Sequence, residues 1–511
     1  MTRSRFVALL ALGTVGCGGA KPPAPTPQPT PAAILAPSAA PTPTRSAVAE
    51  LKSAIDSMVA DARFRSAIWG ILIVNPETND TLYSLNAGKL FLPASNMKIV
   101  TAAAALTDLG PDYQYRTTFA TRGKLVHGVL HGDLVVIGRG DPTVSDHMLH
   151  DAMIPLRAAA DSVAAHGIHR VTGHIEQSGD AFPDANLGYG WDWDDLSEPY
   201  GAGVDELMFN EGFTTVVVRG ARKAGAPAVI ATAPAVAYPL LRNHVRTAAP
   251  TGDAPTKPVT VTYDTASGAL VVNGNVAQHD SAVVEVAYRD PAGAYLSAFA
   301  SALSTQGVRL RANAVGRGVD SAGRLDTLFT MMSPPLRDIL PALLKPSQNQ
   351  IAEILLKTVG LEKTGVGSAD SGVRVIHDQL ILWGVAPDGF VLHDGSGLSR
   401  HDYLSPQTIV RILSTMRHDP AFQVFYDALP IAGVDGTIGD RMRGTMAAGN
   451  VRAKTGFVDK ARSLSGYVTT ADGTPLVFSF LCNNWTTPVR DVEHVQDDIA
   501  ARLAAMTLER R

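Results

Sequence analysis

Cysteine is almost absent from this chain, with two in 511 residues, Cys17 and Cys482. That scarcity excludes a disulfide scaffold and a four-cysteine zinc module. An excess of either charge is also lacking: 44 basic residues face 48 acidic ones, a formal net charge of -4. Nothing in that balance attracts nucleic acid, and no nucleic-acid partner is expected. No apolar run reaches the roughly 18 residues that span a bilayer. What is present is 45% hydrophobic residues, enough for more than one core in a chain long enough for about three domains.

The first residues carry Arg3 and Arg5, then a short apolar run over 6–13, then Cys17 behind small residues. A basic start and an apolar stretch too short to span describe an export signal. A small residue before Cys17 resembles the bacterial lipobox, although Thr14 stands where an aliphatic residue is usual. Residues 1–20 are therefore expected to be a signal, with Cys17 as the lipidation site and the protein anchored to a membrane rather than spanning it. The alternative is an ordinary cleaved signal containing a cysteine. Residues 21–45 hold nine prolines among Ala and Thr, an extended linker that cannot pack a core. The expected location is outside the cytoplasm, in the periplasm or cell envelope.

Beyond the linker, 46–66 reads as a helix with Val48, Leu51, Ile55, Met58 and Val59 on one face. Apolar 67–74, turn residues 75–80 and strand 81–85 read as a hairpin. Ser95 falls at the start of an alanine-rich helix that runs to Leu106. From about 114 to 325 short strands separated by Gly and Asp dominate. Helical texture resumes at 335–344 and 350–359, followed by strands at 463–468 and 476–481 and a last helix over 489–506.

Three short motifs carry chemistry. Ser95-Asn96-Met97-Lys98 places a hydroxyl and an amine three apart on a helix, where they face each other. A serine is a weak nucleophile until a base takes its proton. Lysine serves only if burial or a second cation lowers its pKa. Ser347-Gln348-Asn349 opens a helix, and Lys454-Thr455-Gly456 follows a short strand. This trio occurs in penicillin-binding proteins and class A β-lactamases. Lys363-Thr364-Gly365 repeats the third motif, but its setting between helical segments suits a surface turn. Lys454 has an edge strand, with 463–468 as its neighbour.

Together with Gly138-Arg139-Gly140-Asp141-Pro142-Thr143, the acidic, tryptophan-rich run at 190–195, the 394–400 segment and the 432–437 segment, these motifs resemble the D-alanyl-D-alanine carboxypeptidase/endopeptidase family, the class C low-molecular-mass penicillin-binding proteins. The resemblance runs from about residue 50 to the end. It implies an α+β serine β-lactamase/DD-peptidase (transpeptidase-like) fold, an antiparallel sheet flanked by helices. The catalytic domain would be split into 46–108 and 330–511 around a large, mostly β insertion of two lobes at 109–329. It implies Ser95 as nucleophile, Lys98 as base, and Ser347, Asn349 and Lys454 as their partners. The oxyanion would lie between the amides of Ser95 and Phe457. Thr455, Gly456 and Phe457 would border the substrate, peptidoglycan stem peptides, and β-lactams would acylate Ser95. Trp191, Asp194 and Tyr200 would line a pocket for an ammonium-bearing diaminopimelate side chain, or else form a packed aromatic corner. Phe457 departs from the Thr or Ser usual there, which removes a hydroxyl for the terminal carboxylate.

No cofactor or metal is expected. His147 and His150, between Asp146 and Asp151, have no third and fourth ligand in view and read as a solvated helix face. Two rival readings stand beside the peptidase: a β-lactamase or esterase on the same fold, and a non-catalytic wall-binding lipoprotein.

Overall fold

The computed structural model describes residues 44–508 apart from 237, 250–257, 265–266 and 317–322. The expected signal, Cys17 and nearly all of the proline-rich linker lie outside the described residues.

The organising element is a five-stranded antiparallel sheet assembled from both ends of the chain. Strands β1 (Ile68–Val74) and β2 (Thr81–Leu85) form the hairpin expected at 67–85. Strands β3 (Arg452–Val458), β4 (Ala461–Thr469) and β5 (Pro475–Asn483) come from the C-terminal part, and the order is β3-β4-β5-β1-β2. The join between the two parts is the β1–β5 ladder, from Ile68 opposite Asn483 to Val74 opposite Val477.

Alternation of side chains across the pleat divides this sheet between two cores. Trp69, Ile71 and Ile73 of β1, with Phe478, Phe480 and Cys482 of β5, face α1 (Thr44–Val59) and the C-terminal helix Val489–Ala505. Leu72, Val477 and Leu481 face the other way. There they meet helices α2 (Met97–Leu109), α3 (Leu336–Leu344), α4 (Asn349–Thr364) and α5 (Pro406–Met416). The first ten residues of α2 are all buried, as befits a helix apolar on every side. Lys98 therefore sits in the interior by virtue of its helix.

Residues between α2 and α3 build two further apolar clusters. One surrounds Phe119, Leu134, Phe209 and Phe299, and the other surrounds Val216, Val218, Leu270 and Val272. Strands dominate this region, but two substantial helices, Met153–Ala165 and Pro291–Thr305, cover the first cluster. The strand-rich reading of 114–325 missed both. For the second helix a start signal was present: Asp290 accepts a hydrogen bond from the Gly293 amide and Pro291 occupies the first turn, a combination that favours helix entry. The repeated Lys363-Thr364-Gly365 motif proves to be a helix end rather than a turn between helices. Lys363 and Thr364 finish α4, and Gly365 caps it in the left-handed conformation.

Candidate active site

Ser95 sits in a single 3-10 turn, Ala94–Asn96, that leads directly into α2. The turn is pinned from several sides. The Leu92 amide donates to Asn483 Oδ1 (2.9 Å), Ser463 Oγ donates to the Pro93 carbonyl (2.8 Å), and Asn96 Nδ2 donates to the Lys454 carbonyl (2.8 Å). Ala94, just before the serine, has φ +48°. A left-handed alanine is strained and persists only where its surroundings dictate it.

Lys98 is fully buried and makes three contacts through Nζ: Ser95 Oγ at 2.9 Å, Asn349 Oδ1 at 2.6 Å and the Ser396 carbonyl at 2.9 Å. Burial pushes its pKa down to about 7, against the opposing pull of Asp394 and Glu353. A neutral amine has two protons and one lone pair. Asn349 Oδ1 and the Ser396 carbonyl can only accept, so the two protons go there and the lone pair faces the one partner able to donate, Ser95. Near neutral pH this geometry holds a base against a hydroxyl.

Asn349 is the first residue of α4, and its Nδ2 donates to the Tyr200 carbonyl at 2.8 Å. Gln348 caps that helix by accepting from the Ile351 amide, so it serves the backbone. Ser347 has φ +68°, a second strained position at the site. Its Oγ accepts from Lys454 Nζ at 2.8 Å. Lys454 is fully buried on edge strand β3, also donates to the Thr455 carbonyl, and has its pKa pushed well down by burial and then by Lys98 and Arg462.

Gly456 explains why the third motif needs glycine. A Cβ there would lie 2.2 Å from Ser463 Oγ, 2.6 Å from the Pro93 carbonyl and 2.9 Å from the Ser95 amide nitrogen. The strand backbone thus lies directly against the amide of the nucleophile, one residue before Phe457. The Phe457 ring is 54% exposed with the Arg462 guanidinium 5.5 Å from its centroid. Thr455 is buried and donates to Thr437 Oγ1 at 2.7 Å.

A turn at 394–399 completes the enclosure, and sequence reading assigned its members no chemical role. Glu353 accepts from the Gly395 and Ser396 amides, which aims the Ser396 carbonyl at Lys98. Asp394 accepts from the amides of Gly397 and Ser399 and from the Trp191 indole. Asp402, whose pKa burial and Asp394 push up, binds the His393 amide. Gly397 (φ +81°) approaches so closely that a Cβ would meet the Ala94 carbonyl at 1.9 Å.

A cavity of about 380 Å³ opens over this centre, lined by Ser95, Ser347, Asn349, Phe457, Tyr200 and Asp195 among others. Of the three residues expected in a side-chain pocket, Tyr200 reaches it. Trp191 is tied behind the 394–399 turn, and Asp194 is exposed away from the lining. Asp195, which accepts from the Tyr200 hydroxyl at 2.9 Å, occupies the place foreseen for Asp194. Arg400 also lines the cavity and donates to Asp192 and the Asp459 carbonyl. Among the described residues no group of three or more His, Cys, Asp or Glu is placed to hold a metal, and no helix is long and apolar enough to cross a membrane.

Residues 51–506 match the D-Ala-D-Ala carboxypeptidase 3 (S13) family. The chain is 35% identical over 469 residues to a D-alanyl-D-alanine carboxypeptidase of Actinomadura sp. (strain R39), covering 89% of this chain and 84% of that one. It is 26% identical over 426 residues to the D-alanyl-D-alanine carboxypeptidase DacB of Haemophilus influenzae, covering 82% and 86%. The fold matches the crystal structure of penicillin binding protein 4 (dacB) from Haemophilus influenzae with a TM-score of 0.75 at 24% identity, over 88% of this chain and 99% of that one.

Proposed function

The chain belongs to the D-Ala-D-Ala carboxypeptidase 3 (S13) family and is a serine-type peptidase; from that premise we propose that Ser95 is its nucleophile, acting on peptidoglycan stem peptides ending in D-Ala-D-Ala. The observation that carries this assignment is the Lys98 contact set, which leaves a lone pair for the Ser95 proton.

In the first step Ser95 Oγ bonds to the carbonyl carbon while its proton passes to Lys98. The resulting oxyanion lies between the amides of Ser95 and Phe457, a reading supported by the contact of Gly456 with the Ser95 amide. Losing one such donor costs about a hundred- to thousandfold in rate. The C–N bond then breaks as Ser347, supported by Lys454 at 2.8 Å, relays to the leaving amine the proton that Lys98 took from Ser95. Water hydrolyses the ester and returns the proton to Ser95. β-Lactams acylate the same oxygen. Tyr200 and Asp195 bind the side chain of the diamino acid that precedes the two D-alanines, with Asp195 as counter-charge to its ammonium group. The domain is split as 46–108 and 330–511 around an inserted 109–329, and the motifs of the first 20 residues support export with lipid attachment at Cys17.

Digestion of muropeptides by wild type and Ser95→Ala, read by mass spectrometry, tests the assignment. The wild type is expected to release D-alanine and to form a stable adduct with labelled benzylpenicillin, and Ser95→Ala to do neither. Rapid penicillin turnover would favour a β-lactamase instead, and absence of both activities in the wild type would favour a wall-binding lipoprotein.

A further inference from the structure

A groove of about 1180 Å³ lies against the helix Pro291–Thr305 and shares no lining residue with the catalytic cavity. One wall is Ser297, Ser301 and Ser304, which lie on one face of that helix. The other carries Arg170, Arg309 and Arg311. Every lining residue comes from two segments, 162–175 and 291–316, and neither contains an Asp or a Glu. In a chain with a formal net charge of -4, positive charge is therefore gathered at one place.

Among the described residues none of these three arginines has an ion-pair partner. Arg170 is the register partner of Arg309 across a parallel bridge, so the two side chains leave the same face. Like charges placed directly opposite destabilise a ladder. Arg311 meets His174 Nε2 at 3.2 Å and the Ala312 carbonyl at 3.3 Å, neither of which is an anion. The nearby helix end does not offset the charge either. Its last carbonyls, those of Ala302, Leu303 and Ser304, are taken by the amides of Gln306, Val308 and Gly307. Only an anion from outside relieves the repulsion.

The lining restricts which anion fits. The guanidinium fork matches two oxygens of a phosphate, and serine hydroxyls supply further donors to it. The volume exceeds the roughly 300–1,000 Å³ of pockets that enclose drug-sized ligands, which suits a chain segment rather than a lone ion. Among the described residues no aromatic side chain lines the groove, so nucleic-acid bases have no surface on which to stack. A groove walled by a helix also suits a chain better than the flat surface of a bilayer. We propose that this groove binds a linear phosphodiester polymer without bases, of the polyol-phosphate kind, and so holds the enzyme on an anionic polymer of the cell envelope. The inference goes beyond the peptidase reading and does not depend on Ser95.

Binding of the full chain to a soluble, fluorescently labelled poly(glycerol phosphate) is measured by anisotropy over a salt series, for wild type, Arg170→Glu and Arg311→Glu. The wild type is expected to bind at low salt and to weaken steeply as salt rises. Each charge reversal is expected to raise Kd at least about tenfold. Arg170→Glu also sets a carboxylate opposite Arg309, so its thermal unfolding midpoint is expected to hold or rise while binding falls. A merely structural arginine would show the reverse. If Arg170→Glu fails to fold, Arg311→Glu decides. A wild type that does not bind the polymer overturns the proposal, as does an unchanged Kd in Arg311→Glu. Equal affinity for polyglutamate would show attraction to any negative charge and would overturn it too. So would charge reversals that weaken binding to phosphatidylglycerol vesicles more than to the polymer, since the groove would then serve a lipid headgroup.

Discussion

Lys98 shows how much a single side chain owes to its neighbours. Burial lowers its pKa to about 7, and only the neutral amine can accept the Ser95 proton. The sign follows directly: below pH 7 the amine is protonated and acylation slows by about tenfold per pH unit, and above it the rate levels off. The acid limb of the second-order rate of acylation by a chromogenic cephalosporin is expected near pH 7, and a limb at pH 5 or below would contradict a lysine base. The Ser95–Lys98 pair was legible in the sequence because three-residue spacing on a helix is a fixed geometry. The Ser396 carbonyl was not, because every residue has one and only the fold decides where it points. That Asp195 rather than Asp194 lines the cavity was not legible for a related reason. Both acids lie in the short 3-10 turn Trp193–Ser197, and its phase cannot be inferred from periodicity in so few residues.

Among the elements, edge strand β3 and the Ala94–Asn96 turn behave as one piece, because Gly456 brings backbone against backbone. Gly456→Ala is expected to push the strand away from the Ser95 amide and to reduce penicillin acylation at least about a hundredfold, the cost of losing an oxyanion donor. Stopped-flow acylation measures this, with circular dichroism to show that the fold survives; a variant that stays folded and acylates normally would sink the close-contact argument. The hairpin, β4, β5 and the C-terminal helix were readable from their apolar runs and turn residues, whereas β3 was read only as a short strand ahead of Lys454-Thr455-Gly456, a motif that lies within it. The helices Met153–Ala165 and Pro291–Thr305 were not, because alanine, glycine and serine give their apolar stripe little contrast.

The molecule as a whole joins the segment between α2 and α3 to the site by backbone carbonyls. Asn349 holds that of Tyr200, and buried Gln350 holds those of Pro199 at 3.1 Å and Ala202 at 2.9 Å. Gln350→Ala is expected to loosen this segment and to lower kcat/KM for stem peptides by about tenfold, while penicillin acylation changes less. Equal losses with both substrates would place the effect in the core instead. Such long-range attachments leave no trace in local sequence, since a glutamine beside an asparagine is as ordinary on a surface as in a core. The β1–β5 ladder adds a consequence in time. A chain synthesised as far as Arg441 already carries Ser95, Lys98, Ser347 and Asn349, yet it lacks β3 and the strand that β1 must pair with. Closing so long a loop is entropically costly and slow. A nascent chain that lacks these last strands is therefore expected to be inactive, its site still unassembled.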